Sequence, residues 1–445
     1  MEQIFKAYDI RGVYPGEINY DVAYKIGKAV ATYFKSGKIG VGRDMRLSSE
    51  ELRDGLIKGI NDMGMDVLDI GLCSTDMVYF ATGKFKLVAG VMITASHNPG
   101  KWNGMKICRE NARPVGQDSG LFEIRDLAKK NDFINSSTKG IVEKKDIMQD
   151  WIQFALSLVD KSNINKFNIA VDAGNGMAGL VIPELEKTLP QIEVFPMFFE
   201  LDGNFPNHLA SPIEPENTEE IRKVVREKQF DLGLAFDGDA DRIFLIDDEG
   251  EIVSGTIMTA IVAQSMLRKY PKQTILYNAI CGKIVPETIK KNGGTAIKVR
   301  VGHSFVKEVM QKESAIFAGE HSGHYYFREN FNADSALIAT LVVLELLSIS
   351  GLKLSEIRKQ YSKYLASGEI NTRVDNIDQK LKELRTIYKN ADSIDLLDGL
   401  SFYFKNFWFN VRPSNTEPLL RLNVEADSKE LLEDKTGEIL GHIRK

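Results

Sequence analysis

The densest chemistry in the sequence is the run Asp237-Gly-Asp-Ala-Asp-Arg242. Carboxylates at alternate positions suit a hard cation that takes oxygen ligands. The spacing resembles the start of a calcium-binding EF-hand loop. That loop needs Gly at its sixth position and Glu at its twelfth, where this chain has Arg242 and Asp248. Magnesium fits better, since it binds through a few carboxylates plus phosphate oxygens. The competing reading is a solvated acidic turn, and apolar β-rich runs on both sides argue against it. A second loop, Thr94-Ala-Ser-His-Asn-Pro99, follows the apolar run of residues 88–93. Ser96 beside His97 could be an activated nucleophile, but Ser, Asn and Pro are also ordinary turn residues. A third loop, Gly319-Glu-His-Ser-Gly-His324, offers Glu320 and Ser322 to sugar hydroxyls. His321 and His324 suggest zinc only weakly, because no third ligand is at hand. The fourth, Arg412-Pro-Ser-Asn-Thr-Glu-Pro418, supplies a guanidinium, hydroxyls, an amide and backbone N–H groups. That inventory suits phosphate, and equally an ordinary polar hairpin.

One further motif points elsewhere. Gly174-Asn-Gly-Met-Ala-Gly179 matches the dinucleotide-binding glycine pattern, with Glu200 near the position of a ribose-binding acid. This leaves a nicotinamide-dependent oxidoreductase as a rival. Asp172 and Ala173 separate the strand from the first glycine, and Pro183 comes early in the helix, which favours a plain strand-to-helix turn.

These loops need strands to hold them. A β-rich run, a polar or Gly-rich turn, an amphipathic helix and another β-rich run recur from residues 39, 167 and 274. Alternation of this kind predicts sheets with parallel pairs and helical crossovers. Ser48 and Glu51 have capping-box spacing at the first such helix. Residues 402–411 and 419–425 read as two strands and residues 428–443 as a helix, a small closing unit that also takes in the charged residues 371–390. The expected fold is α/β: three related α/β domains with mixed sheets, then a smaller C-terminal α+β domain. Boundaries are expected to give residues 1–150, 151–250, 251–365 and 366–445.

A chain of 445 residues with 43% hydrophobic and 27% charged residues has a globular balance and is too long for one core. A net charge of -5 argues against a general nucleic-acid binder. No signal peptide is legible, and the apolar run at residues 336–347 is too short to span a membrane. Cys73, Cys108 and Cys281 show no metal or redox spacing, so reduced, buried thiols in a cytoplasmic protein are expected.

Taken together, the motifs resemble the α-D-phosphohexomutase superfamily over essentially the whole chain. The opening Phe5-Lys-Ala-Tyr-Asp-Ile-Arg-Gly12, Gly203-Asn-Phe-Pro-Asn-His208 and Pro212-Ile-Glu-Pro-Glu-Asn217 are similar to its phosphomannomutase/phosphoglucomutase branch. Gly42-Arg-Asp-Met-Arg46 and Val301-Gly-His-Ser-Phe-Val-Lys307 add to the ordered set. The resemblance implies four domains around a central cleft. It also implies a phosphoserine at Ser96 and Mg²⁺ held by Asp237, Asp239, Asp241 and the phosphoserine. Sugar contacts fall at Glu320 and Ser322, and phosphate contacts at Arg412, Ser414, Asn415, Thr416 and Arg421. Tyr8, Arg11, Lys106, Arg242, His303 and His324 line the cleft by the same token. Relatives often carry a basic residue where this chain has Ile280, a gap that Lys283 could partly fill.

The implied activity is interconversion of hexose 1-phosphate and hexose 6-phosphate, of mannose first and glucose second. It proceeds through a hexose 1,6-bisphosphate that also serves as activator, with Lys106 and His324 moving protons. A phosphoglucosamine mutase and a non-catalytic sugar-phosphate binder are the alternatives. The partner is a small phosphosugar, with no nucleic acid or membrane, and the chain is expected as a monomer or homodimer. Charges balance: three aspartates and a phosphoserine carry about −5, while Mg²⁺, Arg11, Lys106 and Arg242 carry about +5.

Overall fold

Short runs of buried apolar residues form the central strands. Ala89–Ile93 (AGVMI) and Leu232–Phe236 (LGLAF) are buried throughout, as expected of strands covered on both faces. In a computed structural model, which describes residues 1–414 and 419–444, these strands belong to the first two of four sheets.

The first three sheets share one plan. Each is built on an interior strand: Lys38–Arg43, Phe167–Asp172 or Thr274–Asn278, the first sheet having in addition the earlier strand Ile10–Val13. A helical crossover leads to a parallel neighbour on one side: Asp66–Leu72, Ile192–Met197 or Thr295–Val299. A second crossover leads to a parallel neighbour on the other side: Ala89–Ile93, Leu232–Phe236 or Phe317–Gly319. That strand then turns back into an antiparallel partner: Trp102–Arg109, Ile243–Asp247 or Tyr325–Phe327. The reversing turns are the serine loop, the Asp loop and the Glu320 loop. The three chemical loops therefore occupy one position in a threefold repeated topology, at the carboxyl end of a parallel strand.

The fourth sheet is antiparallel, in the order Leu365–Arg373, Leu419–Ala426, Phe407–Pro413, Leu400–Tyr403, Ser393–Asp395. Helices Ile377–Ile387 and Lys429–Arg444 accompany it. A helix over residues 336–350 carries the apolar run noted above. Its residues are largely buried, because it packs against the helices Gly255–Lys269 and Met148–Ser157. No single helix among the described residues is long and apolar enough to cross a membrane.

Two local expectations fail. Ser48 does not cap the helix Ser49–Asp62 with its side chain. Its hydroxyl accepts from Asn103 Nδ2 at 2.8 Å, and Glu51 turns to Tyr14 Oη at 2.7 Å. Contacts across the sheet have taken both partners of the capping box. Residues 402–411 form two strands rather than one, since the chain reverses at residues 404–406 and pairs Phe402 with Phe409. Stacking of those two rings, with centroids 4.7 Å apart, favours the hairpin.

Candidate active site

Ser96 lies at the turn after Ala89–Ile93 with φ +50, a left-handed conformation that costs a non-glycine residue energy and clusters at functional sites. Several bonds fix it there. Thr94 Oγ1 accepts from the Ser96 N–H at 2.8 Å. The buried guanidinium of Arg46 donates to the carbonyls of Ser96 at 2.7 Å, Asn98 at 2.6 Å, and Pro99 and Trp102 at 2.9 Å. One arginine thus holds the whole loop, itself anchored by Asp44 at 3.2 Å.

The Asp loop meets the serine loop directly. Ser96 Oγ donates to Asp237 Oδ2 at 2.8 Å and accepts from Arg242 Nη2 at 2.6 Å. Arg242 also pairs with Asp237 at 2.8 Å. His97 Nδ1 accepts from Arg242, and that charge, with burial, pushes its pKa well below the usual value. The lone pair that would make His97 a base for Ser96 is taken. The neighbouring acceptor for the serine proton is Asp237, which local sequence did not suggest.

Asp237, Asp239 and Asp241 are almost fully buried and can bring their oxygens within 4.8 Å of one another. Lys106 Nζ bridges Asp239 Oδ2 at 2.7 Å and Asp241 Oδ2 at 2.6 Å. Among the described residues, the remaining oxygens, Asp239 Oδ1 and Asp241 Oδ1, are buried without a hydrogen-bond partner. Orphaned carboxylate oxygens at this spacing fit a divalent cation. Burial, then Asp239, pushes Asp241 up to about 6. Burial also acts on Asp239, but Lys106 outweighs it and holds that carboxylate low. Burial opposes the charge on Lys106, yet the aspartates raise its pKa, so it is an ammonium at neutral pH. Thr75, a residue the motifs did not flag, donates to Asp239 Oδ2 at 2.6 Å.

Arg11 binds Asp9 at 2.5 Å and Asn98 of the serine loop. It reaches the site, but Asp9 offsets its charge, which the balance drawn from sequence had not counted.

The Glu320 loop closes a second wall. Glu320 is 2% exposed and accepts from Tyr326 Oη at 2.5 Å and the Gly302 N–H at 3.2 Å. Ser322 Oγ lies 3.1 Å from His324 Nδ1. His324 Nε2 stands 3.7 Å from Asp241 Oδ1 and 3.8 Å from Asp334 Oδ2. These carboxylates make the surroundings of His324 a second candidate cation cluster, in place of the histidine pair considered from sequence. Burial pushes His324 down to about 4, so its imidazole is neutral at neutral pH. His303 is likewise depressed by burial, then by Lys307. The His303 ring meets Tyr8 edge-on at 5.7 Å, and burial drives Tyr8 up to about 12.

The fourth sheet brings Arg412 and Arg421 onto Glu369, at 2.7 and 2.8 Å. Arg421 also donates to Ser414 Oγ at 3.3 Å. Among the described residues, neither Nε has an acceptor, so donors remain for an anion. Asn415 and Thr416 lie outside the described residues. Lys283 does not enter this group: its Nζ sits 5.7 Å from the centre of the Tyr364 ring, and Ile280 is buried.

The glycine motif has a different use. A Cβ on Gly176 would lie 2.7 Å from the Gly238 carbonyl oxygen, and Met177 N–H donates to that oxygen at 2.9 Å. The turn is small so that it can press against the Asp loop. Its apolar neighbour strand ends at Met197, before Glu200.

The chain matches four consecutive family models. These are the phosphoglucomutase/phosphomannomutase α/β/α domains I, II and III, over residues 2–135, 149–250 and 254–364, and the C-terminal domain, over residues 369–441. It is 40% identical to a phosphomannomutase of Escherichia coli, covering 99% of each chain. It is also 40% identical to a Xanthomonas campestris protein described as phosphohexose mutases, again over 99% of each. A solved phosphoglucomutase/phosphomannomutase family protein from Burkholderia thailandensis superposes with a TM-score of 0.90 at 28% identity, covering 100% of this chain and 98% of that one.

Proposed function

Since the chain belongs to the phosphoglucomutase/phosphomannomutase family, we propose that Ser96 carries the phosphoryl group exchanged as this mutase interconverts hexose 1-phosphates and hexose 6-phosphates. One observation carries the assignment. Ser96 Oγ sits between a carboxylate at 2.8 Å and a guanidinium at 2.6 Å, beside aspartates with orphaned oxygens. The oxidoreductase reading falls away with the packing role of the Gly174–Gly179 turn.

Asp237, Asp239 and Asp241 would hold Mg²⁺, in keeping with the metal dependence of the family. When bound, the ion supplies positive charge to the phosphoryl oxygens during in-line transfer. The chain's own residues do the rest. In the forward half-reaction the Oγ–P bond of phosphorylated Ser96 breaks as a sugar hydroxyl oxygen bonds to phosphorus. The electron pair returns to Oγ, where Arg242 donates. The hydroxyl proton passes to the neutral imidazole of His324. The hexose 1,6-bisphosphate then turns over, and its other phosphate goes to Ser96 while His324 returns the proton to the departing sugar oxygen. Lys106, held as an ammonium by Asp239 and Asp241, offsets charge and can act as an acid but not as a base in this setting. Glu320, Ser322, His303 and Tyr8 meet the sugar. Arg412, Ser414 and Arg421, with Asn415 and Thr416, bind the phosphate that is not reacting.

The sugar is mannose, with glucose also accepted. A coupled assay with mannose, glucose and glucosamine 1-phosphates, primed with a trace of hexose 1,6-bisphosphate, tests this. Turnover of the first two is expected. A clear preference for glucosamine 1-phosphate would overturn the sugar assignment.

A further inference from the structure

Glu369 lies in the strand Leu365–Arg373 that leads into the fourth sheet, next to a bulge between Ala366 and Glu369. Its two carboxylate oxygens are divided between the two arginines. Oε2 accepts from Arg412 Nη2 at 2.7 Å and Oε1 from Arg421 Nη1 at 2.8 Å. Its side chain is 16% exposed, against 6% for Arg412 and 28% for Arg421. Burial opposes its ionisation, but the two guanidiniums outweigh burial and keep it a carboxylate. An anion bridging two guanidiniums is what a phosphate would be at the same place.

We propose that Glu369 is an internal stand-in for the substrate phosphate, occupying Arg412 and Arg421 between substrates and reclaiming them as each phosphate leaves. The proposal rests on the reading of Arg412 and Arg421 as the phosphate site. A dianionic phosphate can displace the singly charged carboxylate, while a monoanion gains little over it, so the site selects phosphates. The same competition limits how tightly any phosphate is held. That limit serves the reaction, because the bisphosphate must let go of this site to present its other end to Ser96. Binding the unreacting phosphate too tightly would lower KM without raising kcat, since the hold is equally strong before and after transfer.

The carboxylate therefore acts as a tax on affinity, and removing its charge should lift that tax. If the arginines are free about a tenth of the time in the wild type, phosphate binding in Glu369→Gln tightens about tenfold. The experiment is calorimetric titration of the full-length chain with inorganic phosphate, alongside steady-state kinetics on mannose 1-phosphate. Glu369→Gln is expected to bind phosphate more tightly, with KM and kcat both reduced. Glu369→Asp, which keeps the charge, should tighten phosphate binding far less than Glu369→Gln. If Glu369 only props up the guanidiniums, Glu369→Gln would weaken phosphate binding and raise KM, and that result or an unchanged affinity overturns the proposal. Arg421→Gln separates the two levels. Should it bind phosphate as well as the wild type, the phosphate-site reading fails and the proposal with it. Should it lose phosphate while Glu369→Gln gains nothing, only the stand-in is refuted.

Discussion

At the scale of single residues, the serine loop depends on Arg46 more than on any residue within the loop. Its guanidinium serves four carbonyls at once, a fork that a lysine ammonium cannot reproduce. Arg46→Lys should leave the substrate contacts intact and let Ser96 drift. A kcat about 10²-fold lower with little change in KM is expected, measured by steady-state kinetics. Ser96, Asp237, Asp239, Asp241 and Arg242 were legible in the sequence because each lies in a short motif of unusual composition. Glu369 was not, since its arginines are 43 and 52 residues away and no local pattern ties them together. Thr75 was hidden for the same reason: its bond to Asp239 spans 164 residues. His97 misled because adjacency in sequence suggested a base, whereas the fold gives its lone pair to Arg242.

At the scale of elements, three reversing turns share one topological position, and two of them touch through glycine. A Cβ on Gly238 would lie 2.5 Å from the Ser96 carbonyl oxygen, a backbone atom with little room to give. Gly238→Ala should force the Asp loop off the serine loop. It should cost about 1–3 kcal/mol of stability, read as a lower thermal midpoint, together with most of the activity. The threefold repeat was visible in the sequence at its opening strands. Its most useful part was not: the antiparallel return after each chemical loop follows from strand pairing, which local patterns do not encode. The same holds for the capping box at Ser48, where local spacing was right and cross-sheet bonding by Asn103 prevailed.

At the scale of the whole molecule, the proposed site draws on all four sheets, and contacts between units carry titratable groups. Asp76, at the start of the helix Thr75–Lys84, accepts from Ser335 Oγ at 2.7 Å, which joins the first sheet's helix to the third unit. Burial, opposed by bonds from Ser74 and Ser335 and helped by Asp241 and Asp334, pushes Asp76 up to about 7. An unfolded aspartate titrates near 4. Between about pH 4 and 7 the folded chain holds a proton that the unfolded chain has lost, so this group makes stability fall as pH rises through that window. Asp76→Asn removes the dependence. In chelator, its thermal midpoint relative to wild type should be several degrees higher at pH 8 than at pH 5. A constant offset across that range would refute the assignment.

The proposed mechanism turns on a phosphate carried by Ser96. The direct measurement is the intact mass of the protein after incubation with a hexose 1,6-bisphosphate. Wild type should gain one phosphoryl group and lose it again on excess hexose monophosphate, while Ser96→Ala should show no gain and no activity. A Ser96→Ala protein that takes up phosphate from the bisphosphate, or that keeps full mutase activity, would contradict it.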